Sequence, residues 1–195
     1  MSASPEVVVE RACLTRQDWE QAALELMAEK GVGGLAVEPL ARRLGITKGS
    51  FYWHFPGRDE LLTAALLRWE RQDEENLGKS FQAKEKPLDR LENFIWRTTQ
   101  QTLTHQIHLA LCADQQNALV SEVLGRVTNR RIAFLAKALQ ELGLDVAAAN
   151  KRATLLYSAY VGYLHLQSHR LMPPTGDEQL NQYVEHVIES LIKSR

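Results

Sequence analysis

The sequence predicts an all-α protein of about nine helices, and three observations support this fold class. Strand signals are nearly absent, because no run of alternating β-branched and aromatic residues is bounded by tight-turn residues. Apolar residues instead recur three and four positions apart along most of the chain. Helix-capping and helix-ending residues separate these stretches. The 195 residues, 45% of them hydrophobic, are enough for a small head and a larger body.

The head is predicted to span residues 1–57 and to begin with a flexible arm over residues 1–14. Thr15 can cap the first helix, with Asp18 three positions on completing a capping box, and Gly31 can end it. Two short helices follow, over residues 37–44 and 48–55. The Pro56-Gly57 turn then closes the head.

The body is predicted to span residues 58–195 as a helical ligand-binding and dimerisation domain. Its six helices are expected over residues 58–77, 87–103, 107–115, 119–142, 145–171 and 175–192. Asp145 and Thr175 can cap the last two helices, and Pro173-Pro174 separates them.

The two short helices of the head have the spacing of a helix-turn-helix. Leu40, Ala41 and Leu44 form one inner face, and Gly45 allows the tight turn that the motif requires. On the second helix Phe51 and Phe55 are predicted to face inward. The outward face then carries Lys48, Gly49, Ser50, Tyr52, Trp53 and His54.

Charge is distributed unevenly around this motif. The whole chain carries a formal net charge of −1, and residues 1–60 hold seven Lys or Arg against nine Asp or Glu. Between Pro39 and Arg58, however, four basic residues occur and no acidic one. Phosphate binding requires such a local basic surface. The pattern therefore predicts that this segment contacts double-stranded DNA.

The segment resembles the DNA-binding head of the tetracycline-repressor (TetR) family of transcriptional regulators. The matching residues are Leu40-Ala41, Leu44-Gly45-Ile46, Lys48-Gly49, Phe51-Tyr52, His54-Phe55, Arg58 and Leu61-Leu62. The resemblance implies a recognition helix at about residues 48–54, a homodimer, and control by a small ligand bound in the body. The family often has a capping Thr or Ser before the first short helix, where this chain has Ala36 and Val37.

Ten residues are predicted to contact DNA from these patterns and the resemblance together: Arg42, Arg43, Thr47, Lys48, Gly49, Ser50, Tyr52, Trp53, His54 and Arg58. Core packing is the alternative for Trp53 and Tyr52. A solvated helix surface is the alternative for Arg42 and Arg43.

The last two helices predict a dimer interface. The final helix has one apolar stripe, and the helix before it is apolar on nearly every side, so it needs cover on more than one face. We expect a four-helix interface with two-fold symmetry, formed by Tyr160, Leu164, Tyr183, Val187 and Leu191. The alternative is that both helices only close the core of one protomer.

Polar and aromatic residues on otherwise inward faces predict a ligand pocket in the body. The candidates are Trp96, Thr99, Gln100, His108, Cys112, Gln116, Tyr157, Tyr160 and Val161. For each one alone, ordinary core packing is the alternative. His165 and His169 lie four residues apart, but two histidines without a third ligand do not predict a metal site.

Other classes of protein are disfavoured. No metalloprotease, nucleophile-elbow, P-loop or dinucleotide-binding motif occurs, so neither an enzyme nor a cofactor is predicted. Cys13 and Cys112 lie far apart, and no signal peptide or membrane span is seen, so we expect a cytoplasmic protein. The predicted function is a repressor that a small-molecule effector releases from a pseudo-palindromic operator. The alternatives are a constitutive DNA binder and an all-helical carrier of small molecules.

Overall fold

The computed structural model describes residues 14–82, 86–99, 102–172 and 177–193, so Cys13 and most of the predicted N-terminal arm lie outside it. All regular elements within these ranges are helical, which confirms the all-α class. The α-helices are α1 (Arg16–Lys30), α2 (Val37–Arg43), α3 (Lys48–Phe51), α4 (Arg58–Gln82), α5 (Pro87–Thr99), α6 (Thr102–Ala113), α7 (Ala118–Glu141), α8 (Val146–Ser168) and α9 (Asp177–Ile188). A 3₁₀ turn at Val32–Gly34 follows α1, and a π-helical turn at Glu189–Lys193 follows α9.

The capping box predicted at the start of α1 is present. The Thr15 hydroxyl accepts a hydrogen bond from the Asp18 N–H, and the Thr15 N–H donates to the Asp18 carboxylate at 2.7 Å. These bonds satisfy backbone and side-chain groups that the helix end would leave unpaired. Gly31 ends α1 with a φ of 74°, a conformation that favours glycine.

The turn between α2 and α3 depends on Gly45, which has a φ of 67°. The Ile46 N–H donates to the Ala41 carbonyl at 3.0 Å across this turn. Ala36, just before α2, makes no side-chain capping bond, as the sequence comparison with the family pattern predicts.

The second helix of the motif is shorter than predicted, because α3 ends at Phe51 and residues 52–54 form a turn. Phe55 precedes Pro56, and the residue before a proline avoids helical geometry. The Phe55 N–H still donates to the Phe51 carbonyl at 3.0 Å, so the chain makes one further helical hydrogen bond.

The body differs most from the prediction at two boundaries. Helix α4 continues through Gly78 to Gln82, because one glycine inside a long helix costs only about 1 kcal/mol. Helix α6 begins at Thr102, five residues earlier than predicted, in a stretch that the sequence assigned to the end of the preceding helix. Asp145 caps α8 as predicted, whereas the predicted cap at Thr175 lies outside the described residues.

Buried apolar residues form two clusters. The first joins Trp19 and Phe51 of the head to Leu66 of α4, Leu111 of α6 and Val123 of α7. The second lies farther along the body, between α5, the end of α7, α8 and α9. The first cluster crosses the domain boundary predicted at residue 57, and the head packs directly on α4 and α6. In the described ranges no helix is long and apolar enough to span a membrane.

Candidate nucleic-acid interface and body cavities

Helix α3 and the turn after it have one buried and one exposed face. Phe51 and Phe55 are 0% exposed, and the ring of Phe51 meets that of Trp19 edge-on at 5.2 Å. Between them, Tyr52 is 56% and Trp53 is 89% exposed. The phenylalanines therefore fix the helix to the head, and Trp53 does not belong to the core.

Arg16 holds the end of this segment from the first turn of α1. Its guanidinium lies 4.3 Å from the centroid of the Phe55 ring and donates to the His54 carbonyl at 3.2 Å. A cation over an aromatic face is favourable. Sequence reasoning missed this residue, because its partners lie 38 and 39 positions away.

The exposed face of the motif carries positive charge. Lys48 is exposed, and no acidic group of the described chain lies within ion-pair distance of it. Arg42 is also exposed, and its one ion pair among the described residues is with Glu38 of its own helix, at 3.2 Å. Such an exposed pair contributes little to stability, so Arg42 can exchange Glu38 for another anion.

Arg43 and Arg58 make bonds within the head. The Arg43 guanidinium pairs with the carboxylate of Glu29 and lies 3.9 Å from that of Glu25. Arg58 donates to the carbonyls of Leu35 at 2.7 Å and Val32 at 3.0 Å. These two arginines connect elements of the head, a role that the sequence pattern did not indicate.

The remaining predicted DNA contacts lie together at the motif. Thr47 and Gly49 are exposed, and Ser50 and His54 are half-buried. Thr47 precedes α3 but makes no capping bond with its side chain, so its hydroxyl is directed to no backbone group of the helix.

In the body, α4 and α7 are joined by four ion pairs. Glu70 accepts from Arg126 at 2.7 and 2.8 Å and pairs with Arg130 at 3.3 Å. Arg130 also lies 3.9 Å from Glu74. About one turn after Glu70 on α4, the buried Asp73 accepts a hydrogen bond from the buried Arg131 at 2.7 Å. Hydrogen bonds from Arg126 hold the pKa of Glu70 below its usual range.

Two cavities meet at Arg131. The larger is a cleft of about 370 Å³ with Trp69, Asp73 and Phe94 in its wall. The smaller is an apolar chamber of about 60 Å³, bordered by Tyr157, Tyr160, Tyr163 and Tyr183. Phe94, Thr98 and Arg131 border both, so the two spaces adjoin.

A buried polar chain runs beside the chamber. The Nε2 atom of His108 lies 3.1 Å from the Tyr157 hydroxyl, which lies 3.2 Å from the Thr128 hydroxyl. Burial, with the nearby Arg131 and His105, lowers the pKa of His108 from 6.5 to about 4. Burial also raises the pKa of Tyr160 to about 12, so both groups are neutral near pH 7.

The structure brings only part of the predicted pocket together. Tyr157 and Tyr160 border the chamber, and His108 contacts the hydroxyl of Tyr157 without bordering the chamber itself. Trp96 and Val161 pack against the second cluster, Cys112 packs against the first, and Gln116 is exposed in the turn before α7. None of these four borders either cavity. Gln100 and the side chain of Thr99 lie outside the described residues.

Sequence reasoning missed Asp73 and Arg131, although a signal was present. Asp73 continues the stripe of α4 that buries Leu62, Leu66, Trp69 and Leu77, and Arg131 lies on the buried stripe of α7. A charged residue at a core position of each of two helices indicates a buried pair. Among the described residues, no group of three or more His, Cys, Asp or Glu side chains could hold a metal ion.

The predicted dimer residues lie on different faces. Leu164 is buried within the protomer and Tyr160 faces the chamber, while Tyr183, Val187 and Leu191 are half-buried on α9 and in the turn after it. The outer face of α8 instead exposes Leu155, Ser158, Gly162 and Leu166.

Comparison with known proteins identifies the head. Residues 21–65 match the family model of bacterial regulatory proteins of the tetR family. The HTH-type transcriptional regulator SrpR of Pseudomonas putida is 44% identical over 52 residues, which cover 27% of this chain and 24% of that protein. The chain therefore matches only about a quarter of the length of that relative.

The whole chain resembles solved structures in its fold. A TetR transcriptional regulator from Legionella pneumophila superimposes with a TM-score of 0.78 at 15% identity, covering 93% of this chain and 99% of that one. A transcriptional regulator from Saccharomonospora viridis, solved with choline, gives 0.77 at 17% identity, covering 90% and 95%.

The head therefore has the helix-turn-helix of the bacterial regulatory proteins of the tetR family, and the chain as a whole has the fold of the solved regulators.

Proposed function

We propose that this protein is a repressor that binds a pseudo-palindromic DNA operator as a homodimer and leaves it when a small molecule binds the body. The observation that carries the DNA-binding part is the exposed face around α3. This face is basic, has Trp53 projecting into solvent, and is held on a core of Phe51 and Phe55 that are fully buried. Such a face suits a major groove, where phosphate contacts fix position and side chains read base edges.

Within this face, the proposed contacts are Arg42, Thr47, Lys48, Gly49, Ser50, Tyr52, Trp53 and His54. Lys48 and Arg42 would neutralise phosphates, and Tyr52 and His54 would donate hydrogen bonds to them. Gly49 has no side chain to hold the helix away from the duplex. Arg43 and Arg58 are proposed to act indirectly, by keeping α1, α2 and α4 in place.

The test is the binding of the full-length protein to duplex DNA from a random-sequence selection. For Lys48→Ala we expect weaker binding and a salt slope, log K against log salt, that is smaller by about one per head, because one phosphate contact is lost. Fluorescence anisotropy at several salt concentrations measures both quantities.

Lys137→Ala is the matched control, because Lys137 is an exposed lysine on α7, outside the head. It should leave affinity and slope unchanged. An unchanged slope for Lys48→Ala, or an equal change in the control, would contradict the proposed interface.

The proposed homodimer rests on α8 and α9, through a four-helix contact of the two protomers. Leu155 is 51% and Leu166 is 42% exposed on the outer face of α8, with the small residues Ser158 and Gly162 between them. Small residues at helical spacing allow two helices to approach closely. With two-fold symmetry, the recognition helices would meet major grooves about 34–36 Å apart.

The ligand-dependent part of the proposal rests on α4, which begins at the head and borders the larger cavity of the body. A ligand that favours one position of α4 over another would change DNA affinity through the difference in its own affinity for the two states. The complex of the Saccharomonospora viridis regulator with choline is consistent with a small-molecule site in this fold.

A constitutive DNA binder is the alternative function. Thermal-shift screening of small molecules separates the two, because a switch requires a compound that both stabilises the protein and lowers its affinity for DNA. Compounds that stabilise the protein without releasing DNA would favour the constitutive binder.

A further inference from the structure

We propose that the cleft between α4 and α7 binds a neutral aromatic compound whose polar end both donates and accepts hydrogen bonds, as a phenol does. This proposal names the ligand class of the switch and rests on the proposed function for its effect on DNA binding.

Two unpaired polar atoms of residues that border the cleft carry the proposal. They are the Nε1 of Trp69 and the Oδ2 of Asp73, which have no hydrogen-bond partner in the described part of the chain. The two residues border the same cleft and are only 2% and 8% exposed. Arg131 borders it too, but its guanidinium has the hydroxyl of Tyr160 as a neighbour in addition to Asp73. Buried polar groups in folded proteins are nearly always satisfied, so two such atoms beside one space indicate a polar occupant.

The chemistry of the two atoms defines that occupant. The Trp69 N–H can only donate, and a carboxylate oxygen such as that of Asp73 can only accept. The polar end of the ligand must therefore accept one hydrogen bond and donate one. A hydroxyl group has two lone pairs and one proton, so it can do both from a single atom.

The charge of the site favours a neutral ligand. Asp73 and Arg131 already neutralise each other through bonds of 2.7 Å. A carboxylate ligand would lie beside the Asp73 carboxylate, and an ammonium ligand beside the Arg131 guanidinium. Either would leave an unbalanced charge in a buried site, which is unfavourable. Glu75, Lys79 and Arg97, the other charged residues of the cleft, are solvent-exposed.

The site has room for an aromatic ring with a short apolar substituent. The cleft of about 370 Å³ is within the usual range for small-molecule sites, and Trp69 and Phe94 supply aromatic wall. The adjoining tyrosine-lined chamber of about 60 Å³ has room for an alkyl chain of a few carbons, but a second ring would exceed it.

The test is isothermal titration calorimetry of the full-length protein, without DNA, against three probes of one shape. 4-Propylphenol donates and accepts, 4-propylanisole lacks the donor, and 4-propylbenzoate is an anion. We expect saturable binding of the phenol and at least tenfold weaker binding of the other two. Equal or tighter binding of the ether or the benzoate would overturn the proposal. So would the absence of phenol binding up to about 1 mM, where any remaining affinity is too weak for a specific site.

A pair of tryptophan variants ties the binding to the cleft. Trp69→Phe removes the unpaired N–H and keeps an aromatic ring, so we expect about fivefold to tenfold weaker phenol binding. Trp19→Phe is the matched control, because the Trp19 N–H is also buried and unpaired but lies in the core of the head. Unchanged affinity in Trp69→Phe, or an equal loss in both variants, would overturn the assignment.

DNA release is measured separately by anisotropy, with and without the phenol. Release in wild type but not in Trp69→Phe at the same phenol concentration supports both the site and the switch. Calorimetric binding without release supports the site and overturns its regulatory role. A protein that binds the phenol but no DNA overturns the proposed function and leaves the assignment of the ligand class in place.

Discussion

Phe51 and Trp53 lie two residues apart, but their side chains have opposite surroundings. Phe51 is fully buried against Trp19, and Trp53 is almost fully exposed. We expect Phe51→Ala to lower the free energy of unfolding by about 3–5 kcal/mol, because it leaves a cavity in the core of the head. Trp53→Ala should change that free energy by less than about 0.5 kcal/mol and should weaken DNA binding.

Urea unfolding followed by circular dichroism, together with anisotropy on duplex DNA, measures both effects. A large loss of stability in Trp53→Ala would show that this indole contributes to packing. Unchanged DNA affinity in Trp53→Ala would show that Trp53 is not one of the DNA contacts.

His108 makes the stability of the protein depend on pH. Its pKa of about 4 in the folded chain lies below the ordinary value of 6.5, so between these two values the unfolded chain binds more protons. Stability is fully present above pH 6.5 and is lost as the pH falls towards 4. We expect the loss from this residue to be about 3 kcal/mol across that window.

The control is His108→Gln, which keeps a hydrogen-bonding group near Tyr157 but does not titrate. Carboxylates, and the neighbouring His105, titrate in both proteins, so the difference between the two urea-unfolding profiles isolates His108. Parallel profiles from pH 7 to pH 4 would show that the residue is not held neutral.

The sequence predicted correctly the positions of those residues that depend only on neighbours close in the chain. The inward positions of Phe51 and Phe55 follow from helical spacing, and the turn at Gly45 follows from its need for a positive φ. Arg43 and Arg58 could not be placed in this way. Their partners are Glu29 and the carbonyls of Leu35 and Val32, which only the folded chain brings close.

At the scale of elements, the contact of α4 with α7 combines exposed and buried ion pairs. The buried one, between Asp73 and Arg131, is the more sensitive, because removing one partner leaves a charge without compensation in the core. We expect Arg131→Met to lower the free energy of unfolding by about 3–5 kcal/mol. The double variant Asp73→Leu with Arg131→Met should recover most of that loss.

Urea unfolding of the wild type, both single variants and the double variant gives the coupling between the two positions. Losses that simply add would indicate that the carboxylate and the guanidinium do not depend on each other.

Two element boundaries followed from caps that the sequence marked. Thr15 and Asp145 start α1 and α8 as predicted, because their side chains satisfy the first backbone N–H groups. The predicted end of α4 at residue 77 was wrong, because packing of the long helix outweighs the local preference of Gly78. The larger cavity could not be found, because its walls come from four different helices whose packing the sequence does not reveal.

At the scale of the whole molecule, the proposed dimer contact gives a prediction at Gly162. A Cβ atom added there would meet nothing within 4 Å in the protomer, so Gly162→Arg should leave the fold intact. If α8 packs against its copy in a partner, the arginine would separate the two helices. We then expect monomers at concentrations where the wild type is dimeric, and weaker operator binding.

Sedimentation velocity measures the oligomeric state. Gly125→Arg on α7 is the matched control, because a Cβ atom there also meets nothing within 4 Å. Dimers in both variants, or monomers in both, would contradict a close contact at Gly162.

The continuity of α4 has a mechanical consequence. From Arg58 to Glu70 the helix rises about 18 Å, so a tilt of about 10° pivoting on the Glu70 ion pairs would carry its first turn sideways by about 3 Å. Arg58 donates hydrogen bonds to the carbonyls of Val32 and Leu35 in the head, so the head with α3 would move together with that turn. The displacement is close to the step between stacked base pairs, which is about 3.4 Å. A rotation of a few degrees deep in the body would thus put the two halves of a dimer out of phase with the periodicity of the double helix.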